Sequence, residues 1–120
     1  MPEDQYAVYG SGPMAVRGIR EASDLDLMVK DEFYEELKNK YKEEAKGKIK
    51  LEQGKIEIFP AWNSLVDNPE EVISRAELIK GFKFIKLGDL IDWKRKMGRD
   101  KDFKDIRLIE NFLQSGSASS

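Results

Sequence analysis

Short apolar runs along the chain predict the strands of a sheet. One covers residues 5–9, and a second covers Leu25–Val29, which is apolar on both faces apart from Asp26 and is therefore expected at the centre of the sheet. Lys48–Leu51 and residues 55–59 both alternate, and the Gly-containing link between them predicts a hairpin. Residues 76–86 predict two more extended pieces, broken near Gly81.

The segments between and after these strands show helical periodicity. The predicted helices cover residues 13–20, 31–41, a segment beginning at 68–71, 89–97 and 101–112. Pro13 suits the first turn of its helix, Asp31 is expected to cap the second, and Gly98 is expected to end the fourth. The last helix has an apolar face made of Phe103, Ile106, Ile109 and Leu113.

Composition narrows the chemistry that this chain can perform. With 120 residues it is expected to form one domain, residues 1–114, followed by a flexible Ser/Gly tail over 115–120. There is no Cys and no His, which excludes disulfides, Cys nucleophiles and imidazole bases. Carboxylates remain, and they favour hard cations such as Mg²⁺ or Mn²⁺.

Charge and hydropathy indicate the kind of partner and the cellular location expected for this chain. The 21 Lys and Arg residues are balanced by 23 Asp and Glu residues, so no bulk basic field favours non-specific nucleic-acid binding. No apolar run approaches the roughly 20 residues of a membrane span, and no signal-peptide pattern opens the chain. We therefore expect a cytoplasmic protein that does not bind membranes.

An acid pair stands at the start of the second strand. Strand alternation places Asp24 and Asp26 on one face, where a divalent cation would relieve their repulsion. Glu57 would join them if its strand lies beside Leu25–Val29, because Ile56 and Ile58 then face the opposite side. The alternatives are a turn organised by Asp24 and a solvent-facing glutamate at 57.

The segment Gly10-Ser11-Gly12 leads into the first predicted helix. Backbone amides at a helix start, together with the Ser11 hydroxyl, can bind phosphate oxygens, and Gly10 would allow a close approach. An ordinary strand-to-helix turn is the plain alternative. A dinucleotide fingerprint (Gly10, Gly12 and Ala15, with Asp31 further on) ranks lower, because the helix is short and the acid pair would have no task.

These residues resemble the motif of the nucleotidyltransferase superfamily. The motif is Gly-Ser, a spacer, Asp-x-Asp and a later carboxylate, here Gly10-Ser11, twelve residues, Asp24-Leu25-Asp26 and Glu57. Downstream, residues 94–106 are similar to the Lys…Arg-x-Lys-Asp-x-x-Asp-Ile ending of small members, the minimal nucleotidyltransferases and the nucleotidyltransferase-type toxins of toxin–antitoxin pairs. Together the matches extend over about residues 6–112.

The resemblance implies an α/β (α+β) fold, a mixed sheet flanked by helices with the site at one edge. It also implies transfer of a nucleoside monophosphate from an NTP to a hydroxyl, with release of pyrophosphate. Asp24 and Asp26 would hold two Mg²⁺ ions, and Glu57 would hold one and help to activate the acceptor hydroxyl. Two such ions suit in-line displacement.

Lys94, Arg99 and Lys101 are the candidates for binding the triphosphate. A solvated helix end is the alternative for residues 94–96. Asp102 and Asp105 are expected to cap and brace the last helix rather than bind metal. Arg17 and Arg20 could contact phosphates, or they could form salt bridges with Glu21 or Asp24. The sequence leaves both possibilities open.

Three functions fit the sequence. The first is the Mg²⁺-dependent nucleotidyltransferase, with an NTP and a protein or RNA hydroxyl as substrates. The second is a non-catalytic partner or regulatory component of a toxin–antitoxin pair, and the third is a sensor that binds NTP without turnover. Many members of the superfamily carry a further helical domain, so a partner chain or a homodimer could complete the pockets.

Overall fold

In the computed structural model, which describes residues 2–22 and 24–115, seven strands form one mixed sheet with helices on both faces. The strands are β1 (Tyr6–Tyr9), β2 (Leu25–Val29), β3 (Glu43–Ala45), β4 (Lys48–Leu51), β5 (Ile56–Pro60), β6 (Glu77–Ile79) and β7 (Phe82–Phe84). The helices are α1 (Gly12–Val16), α2 (Asp31–Lys38), α3 (Pro69–Ser74), α4 (Leu87–Met97) and α5 (Asp100–Gln114). The predicted fold class is confirmed.

The strand order is β3-β4-β5-β2-β1-β7-β6, which puts β2 at the centre as its apolar run predicts. β2 runs antiparallel to β1 and parallel to β5, and the predicted β4–β5 hairpin is antiparallel. The last residues of β1 therefore lie at the same end of the sheet as the first residues of β2 and β5, with β2 between the other two strands. This end of the sheet brings together segments that are far apart in sequence.

Each face of the sheet covers its own hydrophobic core. Met28 packs with residues of α1, α3, α4 and α5 on one face, including Met14, Ile73, Leu90 and Ile109. On the other face a second core is built from residues of β1, β2, β4, β5, β7 and α2: Tyr6, Val8, Leu27, Val29, Tyr34, Ile49, Ile58 and Phe84. Strand alternation explains the division, because neighbouring residues of one strand point to opposite faces.

The first helix is shorter than predicted and ends at Val16 instead of residue 20. The amide of Gly18 bonds to Ala15 O at 3.1 Å and that of Ile19 to Met14 O at 2.9 Å, with Gly18 at a φ of +74°. These two bonds form a Schellman-type helix end, in which glycine takes the left-handed position without a steric penalty. Gly18 therefore ends the helix, which the helical periodicity alone did not reveal.

The region after α2 also differs from the prediction. The helix ends at Lys38, and Lys30 rather than Asp31 occupies its N-cap position. The charged stretch that follows contains β3, a strand that the sequence did not predict. Its three residues lack alternation, so pairing with β4 at the sheet edge defines the strand.

The apolar face predicted for the last helix is only partly right. Ile106 and Ile109 are buried, whereas Phe103 is 46% exposed. Two carboxylates, Asp102 and Asp105, are buried near the beginning of α5 instead. Across the described residues, every helix is too short or too polar to span a bilayer.

Candidate active site

A cavity of about 260 Å³ opens where the end of β1 meets the beginnings of β2 and β5. We call it the site cavity. It is lined by Tyr9, Gly10, Ser11, Arg20, Asp26, Glu57, Phe59, Asn63, Ser64, Leu65, Trp93, Lys94, Met97, Arg99, Lys101, Asp102 and Asp105. The sequence-predicted site residues therefore meet here, with the exception of Asp24.

A row of side chains crosses the sheet at the cavity. Asp26 lies directly opposite Tyr9 of β1 and directly opposite Glu57 of β5. Met28 and Phe59 belong to the core on this face, so the residues two positions before them, Asp26 and Glu57, share that face. The predicted adjacency of the two carboxylates is confirmed.

Asp26 is the most perturbed carboxylate of this row. Partial burial raises its pKa above the usual range, and the negative charges of Glu57 and Asp24 raise it further. The positive charges of Lys48 and Lys101 oppose this rise but do not cancel it. The cluster thus carries more negative charge than its neighbours neutralise.

Asp24 occupies a different environment from the one expected for an inward-facing ligand. It is exposed, directly precedes β2 and does not line the site cavity. Its charge nevertheless acts on Asp26. Ser23, which precedes it in the motif, lies outside the described residues.

Gly10 is required by its contact with Asp26. Its φ is +72°, and a Cβ at this position would stand 2.7 Å from Asp26 Oδ2. Any other residue would strain the backbone and push the carboxylate away. Glycine therefore lets the turn after β1 close over the acid pair.

The turn continues into Ser11, whose carbonyl accepts hydrogen bonds from Met14 and Ala15. The Ser11 hydroxyl accepts a 2.8 Å bond from Arg20 Nη2. Because α1 has only five residues, the helix-dipole contribution expected at this turn is small. The position of the Ser11 hydroxyl is therefore fixed by the Arg20 side chain.

The dinucleotide alternative is wrong. That fingerprint belongs to a unit in which the strands before and after the helix are parallel. Here β1 and β2 are antiparallel. Of the two glycines of this turn, Gly10 lies against Asp26, whereas Gly12 lies against the apolar side chains of Val8 and Leu25.

The basic residues of the site cavity are held by a buried network on α4 and α5. Lys94 is only 3% exposed, and its Nζ donates to Asp105 Oδ2 at 2.9 Å. Arg20 donates to both oxygens of Asp105 at 2.8 Å. The alternative of a solvated helix end is therefore wrong for Lys94 but right for the exposed Arg95 and Lys96. The salt bridge of Arg20 is with Asp105 rather than with Glu21 or Asp24, although Arg20 also donates to the main-chain carbonyl of Glu21.

Asp102 performs the capping role that the sequence predicts. Its Oδ2 accepts from the Arg99 amide at 3.1 Å and from Arg99 Nε at 2.6 Å. Burial alone would raise the pKa values of Asp102 and Asp105, but hydrogen bonds from Arg99, and from Arg20 and Lys94, hold both below the usual range. Both carboxylates stay ionised inside the protein.

Lys101 differs from the other predicted phosphate ligands. It is exposed, lines the site cavity and has no ion-pair partner among residues 2–22 and 24–115. Its charge lowers the pKa of Asp26. It is therefore free to meet an anion. Arg17, by contrast, pairs with Glu77 at 2.6 Å.

Aromatic residues form one wall of the site cavity. Tyr9 contacts Trp93 edge-on, with 5.2 Å between ring centroids, and Phe59 at 6.2 Å. Burial raises the pKa of Tyr9, and the charges of Asp26 and Glu57 raise it further, so its phenol stays protonated. Within the described part of the chain, Trp93 Nε1 is a buried donor without a hydrogen-bond partner.

Lys48 is a site residue that the sequence reasoning missed. Its Nζ lies 2.8 Å from Glu57 Oε2. The signal was available in the hairpin: Ile49 and Leu51 alternate towards one core, which places Lys48 on the face of Glu57. Arg20 was missed as a Ser11 ligand because no local pattern joins it to Asp105.

Asp26 and Glu57 offer oxygen donors of the kind that a hard divalent cation binds, and a cation would relieve the charge repulsion that raises the pKa of Asp26. Among residues 2–22 and 24–115, however, no three acidic side chains converge as in a formed metal site. A cation held by all three acids would require Asp24 to turn inward and would compete with Lys48 for the charge of Glu57.

Comparison with protein-family models and with curated proteins gives no match to this chain.

Proposed function

We propose that the protein is an Mg²⁺-dependent nucleotidyltransferase that transfers a nucleoside monophosphate from an NTP to a hydroxyl acceptor. The acceptor oxygen forms a bond to the α-phosphorus, the bond from that phosphorus to the α,β-bridging oxygen breaks, and pyrophosphate leaves with the electron pair. The hydroxyl proton passes to the carboxylate of Glu57, which lines the site cavity.

One observation supports this proposal above the others. Asp26 and Glu57 lie opposite each other on paired strands, beside the Gly10-Ser11 turn and the cation of Lys101 in one cavity. The juxtaposition combines carboxylates for metal with donors for phosphate. Phosphoryl-type transfer asks the protein mainly for positioning and charge neutralisation, and this set of groups suits that task.

Each group of residues at the cavity has a proposed task. Asp26 and Glu57 in the cavity, together with Asp24 just outside it, would hold the metal. When bound, a divalent cation neutralises phosphate charge and steadies the attacking and leaving oxygens. Gly10 and Ser11 would approach the phosphates, and Lys101 would pair with them. Lys94 and Arg99 would contribute positive potential from their fixed positions beside Asp105 and Asp102.

Calorimetric titration of the four NTPs with and without Mg²⁺ tests the proposal. We expect binding that depends on Mg²⁺ and weakens by at least about tenfold in Asp24→Asn/Asp26→Asn, because the metal loses charged ligands. The matched control is Asp67→Asn/Asp92→Asn, which changes two exposed aspartates outside the site cavity. Retained Mg²⁺-dependent binding in the site variant, with its fold intact, would contradict the proposal.

A non-catalytic partner protein of a toxin–antitoxin pair is the second candidate. The observation that favours it is the internal pairing of the site: Lys48 holds Glu57, Arg99 holds Asp102, and Lys94 holds Asp105. A site in which most charged groups pair with one another can be a structural remnant. Absence of NTP binding by the wild-type chain, together with a stable complex that persists in Asp24→Asn/Asp26→Asn, would favour this candidate.

A further inference from the structure

Lys48 lies on β4 and faces Asp26 and Glu57, the acid pair of the site cavity. Its ammonium group lies 2.8 Å from Glu57 Oε2 and 5.9 Å from the centroid of the Phe59 ring. Phe59 follows Glu57 by two residues on the same face of β5. The aromatic ring and the carboxylate together hold the lysine over the acidic end of the sheet.

A neighbouring lysine shows that this contact is selective. Lys50 is the residue directly opposite Glu57 in the β4–β5 register. It nevertheless pairs with Glu44, at 3.1 Å, and leaves Glu57 to Lys48. Both lysines are about equally exposed, at 29% and 34% of their side chains. Simple proximity in register therefore does not decide which cation holds Glu57.

The negative charges of Asp26 and Glu57 repel each other, so a nearby cation stabilises them. Asp26 and Glu57 face each other across paired strands, and Asp24 adds a third negative charge. Of the cations that act on Asp26, Lys48 bonds directly to its neighbour Glu57, while Lys101 acts from across the cavity mouth on α5. Lys48 is thus in direct contact with Glu57 and offsets part of its negative charge.

The geometry points to Lys48 as the resident counter-ion of the Asp26–Glu57 pair, whose ammonium group competes with a divalent cation for the negative charge of Glu57. This inference rests on the proposed function in one respect, namely that the acid pair binds a divalent cation. It adds a property of that site: Lys48 contacts Glu57 Oε2, so a cation that binds Glu57 must do so against the positive charge of the lysine. Lys48 therefore weakens metal binding.

Mn²⁺ binding to the full chain without nucleotide tests this inference. The free ion is counted by electron paramagnetic resonance, and the heat of binding is measured by calorimetry. We expect Lys48→Met to bind Mn²⁺ more tightly than wild type by on the order of tenfold, because Glu57 is released and a nearby positive charge is removed. Lys48→Arg keeps the charge and should stay within about twofold of wild type.

Lys50→Met is the matched control, because it removes a lysine from the same strand and the same face. It should change Mn²⁺ affinity by less than about twofold, since its partner is Glu44. A second readout is thermal stability. Without metal, Lys48→Met should melt below wild type because the acids repel one another, and excess Mn²⁺ should remove the difference.

The outcomes separate the inference from the function. If wild type binds Mn²⁺ and Lys48→Met binds no tighter, or if Lys50→Met tightens binding equally, the inference is overturned while the proposed metal site stands. If Asp26→Asn binds Mn²⁺ as well as wild type, or if neither wild type nor Lys48→Met binds it, the metal site itself fails and the inference fails with it. Tighter binding in Lys48→Met alone supports both.

Discussion

At the scale of single residues, Asp26 combines several unfavourable interactions. It is partly buried, lies opposite Glu57 and stands so close to Gly10 that a Cβ there would be 2.7 Å from its Oδ2 atom. A carboxylate in such surroundings lowers stability rather than raising it. Residues of this kind are expected at functional sites, where local rules are broken for chemistry.

Replacing Asp26 with asparagine should therefore stabilise the protein at neutral pH. Because burial and the charges of Glu57 and Asp24 raise its pKa from the ordinary 3.8, the folded chain binds the proton more tightly than the unfolded chain. The favourable contribution is present at low pH and is lost as pH rises from the ordinary value through the raised one. Urea unfolding of wild type and Asp26→Asn at about pH 3 and about pH 7 measures it.

The difference in unfolding free energy should be close to zero at the acidic pH and should favour Asp26→Asn at the neutral pH. Asp67→Asn serves as the control: the exposed ion pair of Asp67 with Lys96 contributes at most about 1 kcal/mol, so this substitution should change stability little at either pH. A variant less stable than wild type at neutral pH would show that Asp26 is stabilising, contrary to this account.

At the scale of elements, α4 and α5 join the sheet through charges as well as through apolar packing. Asp105 on α5 accepts hydrogen bonds from Lys94 on α4 and from Arg20 after α1, and Arg20 reaches back to Ser11. Three segments are thereby held at the site cavity by one carboxylate. Asp105 and Lys94 are both buried, but Asp105 has two cationic partners. Removing Asp105 should therefore have different consequences from removing Lys94.

We expect Asp105→Ala to be far more damaging than Lys94→Met. Without Asp105, the buried Lys94 loses its closest partner, and the unfolding free energy should fall by about 3–5 kcal/mol. In Lys94→Met, Arg20 still pairs with Asp105 and Arg99 with Asp102, and the methionine fills similar volume, so a smaller loss is expected. Chemical denaturation of both variants at neutral pH measures the two losses. Equal losses would mean that the ion pair is not what makes Asp105 important.

The elements also show what local patterns could and could not predict. The β4–β5 hairpin and the two strands on either side of Gly81 are confirmed, because alternation and turn residues specify them locally. β3 was missed because its charged residues pair only through the sheet edge, and Phe103 was assigned to the core because a periodicity does not reveal which helix face meets a polar cavity.

At the scale of the whole molecule, one sheet separates two hydrophobic cores. β2 contributes to both, since Met28 belongs to the core under α3, α4 and α5, and Leu27 and Val29 belong to the core beside α2. Neither face can lose its cover without exposing the same strands. The two cores should therefore unfold together in a single transition.

Truncation on either face tests this coupling. Met28→Ala and Ile58→Ala remove fully buried side chains from opposite cores and should each lower the unfolding free energy by about 2–5 kcal/mol. Circular dichroism and tryptophan fluorescence should still report one coincident transition in both variants. Leu78→Ala, at a position 53% exposed on β6, is the control and should change stability by less than about 0.5 kcal/mol. Separate transitions for the two probes would show that the cores are independent.

The sequence by itself determined the strands around the acid pair, the central place of β2, the face of Glu57 and the chemistry that a chain without Cys or His can offer. These follow from alternation, turn residues and composition, which act over a few neighbouring positions. Only the tertiary structure decided that Asp24 stays outside the cavity, that Lys48 rather than Lys50 holds Glu57, and that Asp105 joins Arg20 to Lys94. The physical reason is range: a salt bridge depends on where two distant segments meet and how deeply they are buried, and no local period encodes that meeting.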